Sequence, residues 1–120
     1  MKNLDIMNMY EGLNLLMQDS SLKFPAKVSF AIIRNLKILF PIVKDIEDTK
    51  LRVIKNYGKE ENGNYIISLE NREKANEELN VLANIEIEIS LIKINLKDIE
   101  NLDIPLKVAK ALSYMLEEEI

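Results

Sequence analysis

Apolar residues recur three or four apart through most of this chain, and the breaks in that rhythm mark its elements. Between residues 4 and 18, Ile6, Met9, Leu13, Leu16 and Met17 fall on one face of a helix, with Gly12 as a mild weakness in it. Asp19-Ser20-Ser21 ends the pattern. Pro25 suits the first turn of a second helix, where its missing N–H would have had no partner. That helix is predicted to run from Pro25 to Tyr57, with Gly58 as a left-handed C-terminal cap. At roughly 1.5 Å per residue it would be about 50 Å long, too long for the rest of a small domain to enclose. Ile32, Leu39, Ile46 and Val53 repeat every seven residues, flanked by Leu36, Val43 and Tyr57, the pattern of a coiled-coil-like seam. Pro41 falls inside it and predicts a kink or a split near Phe40.

The second half is more mixed. Asn62-Gly63 is a turn dipeptide, followed by the short β-prone run Tyr65-Ile66-Ile67. Ser68 reads as the N-cap of a helix over 70–84, with Ala75, Leu79 and Leu82 on one face and Glu73, Lys74, Glu77 and Glu78 on the other. Ile85-Glu86-Ile87-Glu88-Ile89 alternates apolar and acidic with period two, predicting a strand to Ile94 that pairs with Tyr65–Ile67 and shifts phase at Leu91-Ile92. Asn95 caps a predicted turn over 97–100. Asp103 and Pro105 open a last helix with Val108, Ala109, Leu112, Met115 and Leu116 inward, and Glu117, Glu118 and Glu119 crowd its end, where the helix dipole predicts fraying. The sum is a mostly helical α+β fold in a single domain, 1–120, with one long kinked amphipathic helix, two or three shorter helices and a small antiparallel sheet.

Composition narrows the chemistry. The 120 residues contain no histidine, cysteine or tryptophan and only three glycines. That removes the side chain best suited to proton transfer near neutrality, thiolate nucleophiles, Cys/His metal sites and glycine-rich phosphate loops. The serines have no histidine to activate them. Asp45 with Asp48, Glu73 with Glu77, and Glu86 with Glu88 have ordinary surface spacing, so neither a metal nor another cofactor is expected. No apolar run resembles a signal peptide or a membrane span, and the expected location is the cytoplasm. A core can form from the 48% hydrophobic content without disulfides.

Charge is segregated within the net −4. Residues 23–59 hold nine cations against three anions, a local excess of six positive charges that leaves ten negative charges for the remainder. On a helical wheel, eight of those nine cations share an arc of about 100° opposite the apolar seam. Lys27, Arg34, Lys37, Lys44, Arg52 and Lys55 are therefore the candidate partner-binding residues. Long cations also edge buried seams in ordinary domains, with their stems on apolar surface and their charge answered here by Glu70–Glu88 or the acidic tail. Nucleic acid is disfavoured by the negative net charge and by aromatics that do not interleave with the cations. The methionines of the first helix suit either an adaptable docking surface or gap-filling in the core. A two-stranded sheet would leave an edge for self-association.

The run Phe24-Pro25-Ala26-Lys27-Val28-Ser29-Phe30-Ala31-Ile32, then Asn35-Leu36, Tyr57-Gly58, Asn62-Gly63-Asn64-Tyr65 and the glutamate-alternating segment from Glu86 lie in an order that resembles a domain-of-unknown-function family. Its members are small proteins of tailed phages and prophages of Gram-positive bacteria. Pro41 departs from that pattern. The resemblance implies a phage origin and supplies no activity or site residues. Together with the missing catalytic chemistry, it leads to the expectation of a non-enzymatic protein-binding module, a stoichiometric inhibitor of a host defence or regulatory protein in the host bacterial cytoplasm. The alternative is a virion (tail) accessory or assembly protein that acts by homo-oligomerisation.

Overall fold

A computed structural model describes residues 1–117 of the chain. Four helices, α1 (Asn3–Gln18), α2 (Ala26–Tyr57), α3 (Leu69–Ala83) and α4 (Leu106–Ser113), accompany a hairpin of β1 (Gly58–Glu61) and β2 (Asn64–Ile67) and a 3₁₀ turn at Leu96–Asp98. The fold is mostly helical α+β, as the periodicity predicts. Glu118 and Glu119, part of the predicted frayed end, lie outside the described residues. Glu117 follows α4 in an extended stretch rather than ending the helix.

α2 is the spine. Its heptad residues Ile32, Leu39, Ile46 and Val53 are buried, with Val28, Ala31 and Val43 beside them. α1 and the segment after residue 85 cover its N-terminal half, with α4 packed on α1, while α3 and the hairpin lie along its C-terminal half. The helix continues through Pro41 with no split. Pro41 lies on the exposed face, so the Lys37 carbonyl that loses its helical donor is on the water side of the helix, where solvent can satisfy it. Gly58 is extended (φ −108°, ψ 163°) rather than left-handed, because the chain passes from the helix directly into β1. The left-handed residues are Asn62 (φ 51°) and Gly63 (φ 82°), the pair that a two-residue hairpin turn requires.

That turn also corrects the strand pairing. β2 pairs antiparallel with β1, Glu61 opposite Asn64 and Gly58 opposite Ile67, and not with residues 85–94. The two-residue loop closes the local hairpin at little entropic cost. The 85–94 segment forms instead an extended strap over the core. At one end Ile87 N–H donates to the Met1 carbonyl (2.8 Å) and Asn3 N–H to the Ile85 carbonyl (3.0 Å). At the other, Ile94 N–H donates to the Met115 carbonyl (2.8 Å) and Glu117 N–H to that of Ile94 (2.9 Å). Ile87, Ile89 and Leu91 turn inward while Glu86, Glu88 and Ser90 face out, so the alternation holds through Leu91 and shifts only before the buried Ile94.

Two contacts escape any periodicity argument. Asn35, fully buried in the α2 seam, grips the middle of the strap: its Nδ2 donates to the Ile92 carbonyl (2.9 Å) and its Oδ1 accepts from Ile92 N–H (2.8 Å). Gly12 lets α1 and α4 touch, since a Cβ built there would lie 2.5 Å from the Cβ of Ala111. Tyr114 ties the same helices, its hydroxyl donating to Asp5 Oδ1 at 3.1 Å; burial first and this bond second push the phenol above its ordinary pKa. On α1, Ile6, Met9, Leu13 and Leu16 are buried as predicted, but Met17 is exposed; on α4 the inward positions are Val108, Ala111, Leu112 and Met115, with Ala111 replacing the predicted Ala109.

Two stability measurements follow from these contacts. Gly12→Ala improves helix propensity yet should destabilise the protein in a denaturant titration by about 1–3 kcal/mol, because the added methyl has to push Ala111 away. Asn35→Ala should cost about 1–3 kcal/mol by leaving both polar groups of Ile92 unpaired, and hydrogen exchange should show protection lost first in the strap.

Candidate functional site

Because α2 continues past Pro41, the predicted cationic arc is realised as one continuous face. Lys27, Arg34, Lys37, Lys44, Arg52 and Lys55 are all exposed. The structure divides them. Lys27, in the first turn, has its ammonium 3.5 Å from Asp98 Oδ2. Lys55, near the last turn, holds its ammonium 5.9 Å over the Tyr65 ring. Arg52 lies one turn beyond Asp48, which is also one turn beyond Lys44, so an acid interrupts the arc there. Among the described residues, Arg34, Lys37, Lys44 and Arg52 make no ion pair. The glutamates of α3 do not answer them, because α3 packs on the seam side of α2 and holds its own acids out toward solvent. One of those acids, Glu78, accepts from the Tyr57 hydroxyl at 3.1 Å, a bond that raises the phenol pKa.

The same face carries large apolar side chains that counting charges overlooked. Phe30 is 61% exposed, Phe40 53% and Ile33 42%. Phe30 falls inside the cationic arc and Ile33 and Phe40 border it, so aromatics do interleave with the cations over this stretch, contrary to the sequence reading. The wheel held that signal. Apolar residues on a long helix read as core by default, and these three sit outside the seam. α1 contributes the neighbouring wall: the Tyr10 and Phe40 rings lie 6.2 Å apart between centroids, tilted by 40°.

Elsewhere the surface holds little chemistry. The hollow between α1 and α4, about 280 Å³, is lined by Asn8, Glu11, Leu15, Lys110 and Tyr114 among others, with no serine, threonine or cysteine. Another, about 210 Å³, lies between α1, α2 and α3 beside Met7, Ile46, Lys50 and Leu82. Asn3, whose buried Oδ1 has no protein partner, borders it; the volume and polarity suit water. The acidic pairs considered as metal ligands are all exposed, and among the described residues no three acids gather into a cluster that could hold a metal. Among the described residues, no helix is long and apolar enough to cross a membrane.

Fold and surface together define a helical α+β domain built on one long helix, with a cationic and apolar face left uncovered. No family model, curated protein or solved structure matches the chain. The likeness to phage proteins rests on the short sequence runs alone.

Reversing Arg34, Lys37 and Lys44 to glutamate should shift the unfolding free energy by no more than about 1 kcal/mol, since exposed charges without partners contribute little to stability. A thermal or urea titration reads this directly. A loss beyond about 2 kcal/mol would show that the chain itself neutralises these groups.

Proposed function

We propose that this chain is a non-enzymatic protein-binding module that engages its partner with the outer face of α2 between Phe30 and Lys44. The observation that carries the reading is a coincidence on one stretch of helix: exposed Phe30, Ile33 and Phe40 lie among Arg34, Lys37 and Lys44, which have no ion-pair partner among the described residues. Interfaces concentrate aromatic side chains and arginine, whereas a face that only meets water gains nothing from a run of large apolar groups. The absence of histidine and cysteine supports a binding role over a catalytic one. On the resemblance carried by the Phe24–Ile32 run and its companions, the module is phage-encoded and acts in the host bacterial cytoplasm as a stoichiometric inhibitor of a defence or regulatory protein.

A second reading, a virion (tail) accessory or assembly protein that oligomerises, draws on a different feature. Leu69 and Val81, near opposite ends of α3, are 79% and 67% exposed.

A photo-crosslinking residue at Ile33 should trap one protein in producing cells that the same residue at Lys74, exposed on α3, does not. Equal recovery at both positions, or none at either, counts against the docking face. Mass spectrometry of purified particles separates the two readings: absence from virions accords with inhibition, and abundance there with assembly.

A further inference from the structure

The shape of the exposed face says what kind of partner fits it. α1 and α2 run antiparallel, since Asn3 near the start of α1 shares a hollow with Ile46 far along α2, while Tyr10 meets Phe40. In that register, each step forward on α1 is a step back on α2. Extending that register by two helical turns puts Met17, seven residues after Tyr10, across from Ile33, seven residues before Phe40, and both are exposed. The two pairs would be successive rungs about 10 Å apart along the surface valley that two helices packed side by side leave between them, and heptad spacing is what brings side chains to the same side of both walls. On the α2 wall the next row out is Phe30, Lys37 and Lys44, again seven apart and all exposed. The α1 wall offers Asn14 in the equivalent place, without charge.

We propose that this valley seats an α-helix of another protein, with a heptad apolar seam on the Tyr10–Phe40 and Met17–Ile33 rungs and carboxylates along the flank that faces Lys37 and Lys44. This rests on the protein-binding reading above and names the chemistry of the partner. A third helix with an apolar edge every seven residues completes a three-helix packing for which α1 and α2 already supply two members. The charge pattern selects the occupant. A second copy of this chain paired across a two-fold axis on the valley would bring Lys37 and Lys44 against their own counterparts, which like-charge repulsion opposes. α3 offers no substitute, because its exposed Leu69 and Val81 are not heptad-spaced. A nucleic acid would meet the cations and could stack on Phe30 and Phe40, but it would have no use for Ile33 and Met17 and would face a remainder carrying ten negative charges.

The probe is a synthetic three-heptad helix with leucine on its seam and glutamate on both flanks, set against the same helix with lysine flanks, each measured by fluorescence anisotropy with the full chain. The glutamate peptide should bind at least about tenfold more tightly than the lysine peptide, and the margin should shrink in high salt. Lys37→Glu with Lys44→Glu should invert the preference, which a misfolded protein could not do. Ile33→Ser with Phe40→Ser should weaken both peptides, with helical circular dichroism unchanged. Equal binding of the two peptides, no binding of either, an unaltered preference in the charge-reversed protein, displacement of the glutamate peptide by duplex DNA, or dimerisation that buries Ile33 would each overturn the proposal. Its failure is distinguishable from failure of the broader reading. A protein crosslinked at Ile33 whose contacting segment is not an acidic helix removes the helix partner alone, whereas no specific crosslink at Ile33 removes both.

Discussion

A helix of 32 residues is about 48 Å long, and the 88 residues outside it are too few to wrap it. They cover one side. The molecule measures 51 × 32 × 23 Å with a radius of gyration of 17.7 Å, against about 13–14 Å for a compact domain of this length. α1 and the strap enclose the N-terminal half of the seam, with α4 packed on α1, while α3 and the hairpin lie along the rest. Every other feature follows from that economy of cover. The seam is apolar because it is enclosed, the opposite face is cationic because it meets water, and Pro41 is tolerated because the carbonyl it deprives is on the wet side.

Specific contacts give the cover its register. A strap of alternating isoleucines could slide by two residues along a greasy surface and lose little burial. Asn35 removes that freedom, since one carboxamide matches one peptide unit, that of Ile92, and any slip would strand a buried polar group. Gly12 and Ala111 act the same way on α1 and α4, allowing close approach at one point on each helix. The strap in turn joins the chain's first residues to those after α4, so the covering elements are mutually braced rather than separately attached.

Charge segregation takes its meaning from this arrangement. Basic α2 and acidic α3 belong to one chain and touch, yet they touch through apolar sides, leaving their opposite charges on opposite surfaces of the molecule. Among the described residues, only the ends of the basic face are engaged from within, Lys27 by Asp98 and Lys55 by Tyr65. The middle remains a cationic and apolar ridge beside α1, and that juxtaposition turns a compositional asymmetry into a candidate docking face.

The helices, most of their inward positions, the Asn62-Gly63 turn and the cationic arc were legible in the sequence, because each depends on residues within a turn or two of one another and on a fixed helical period. The pairing of β2 with β1, the strap in place of a sheet strand, the role of Asn35 and the need for glycine at position 12 were not. Each depends on which distant segment arrives opposite, and local periodicity carries no information about that. The candidate site divides on the same line. Position on the wheel placed Arg34, Lys37 and Lys44 together, whereas the exposure of Phe30, Ile33 and Phe40 was settled only when α1, α3 and the strap had packed on α2 and nothing in the described chain remained to cover this face.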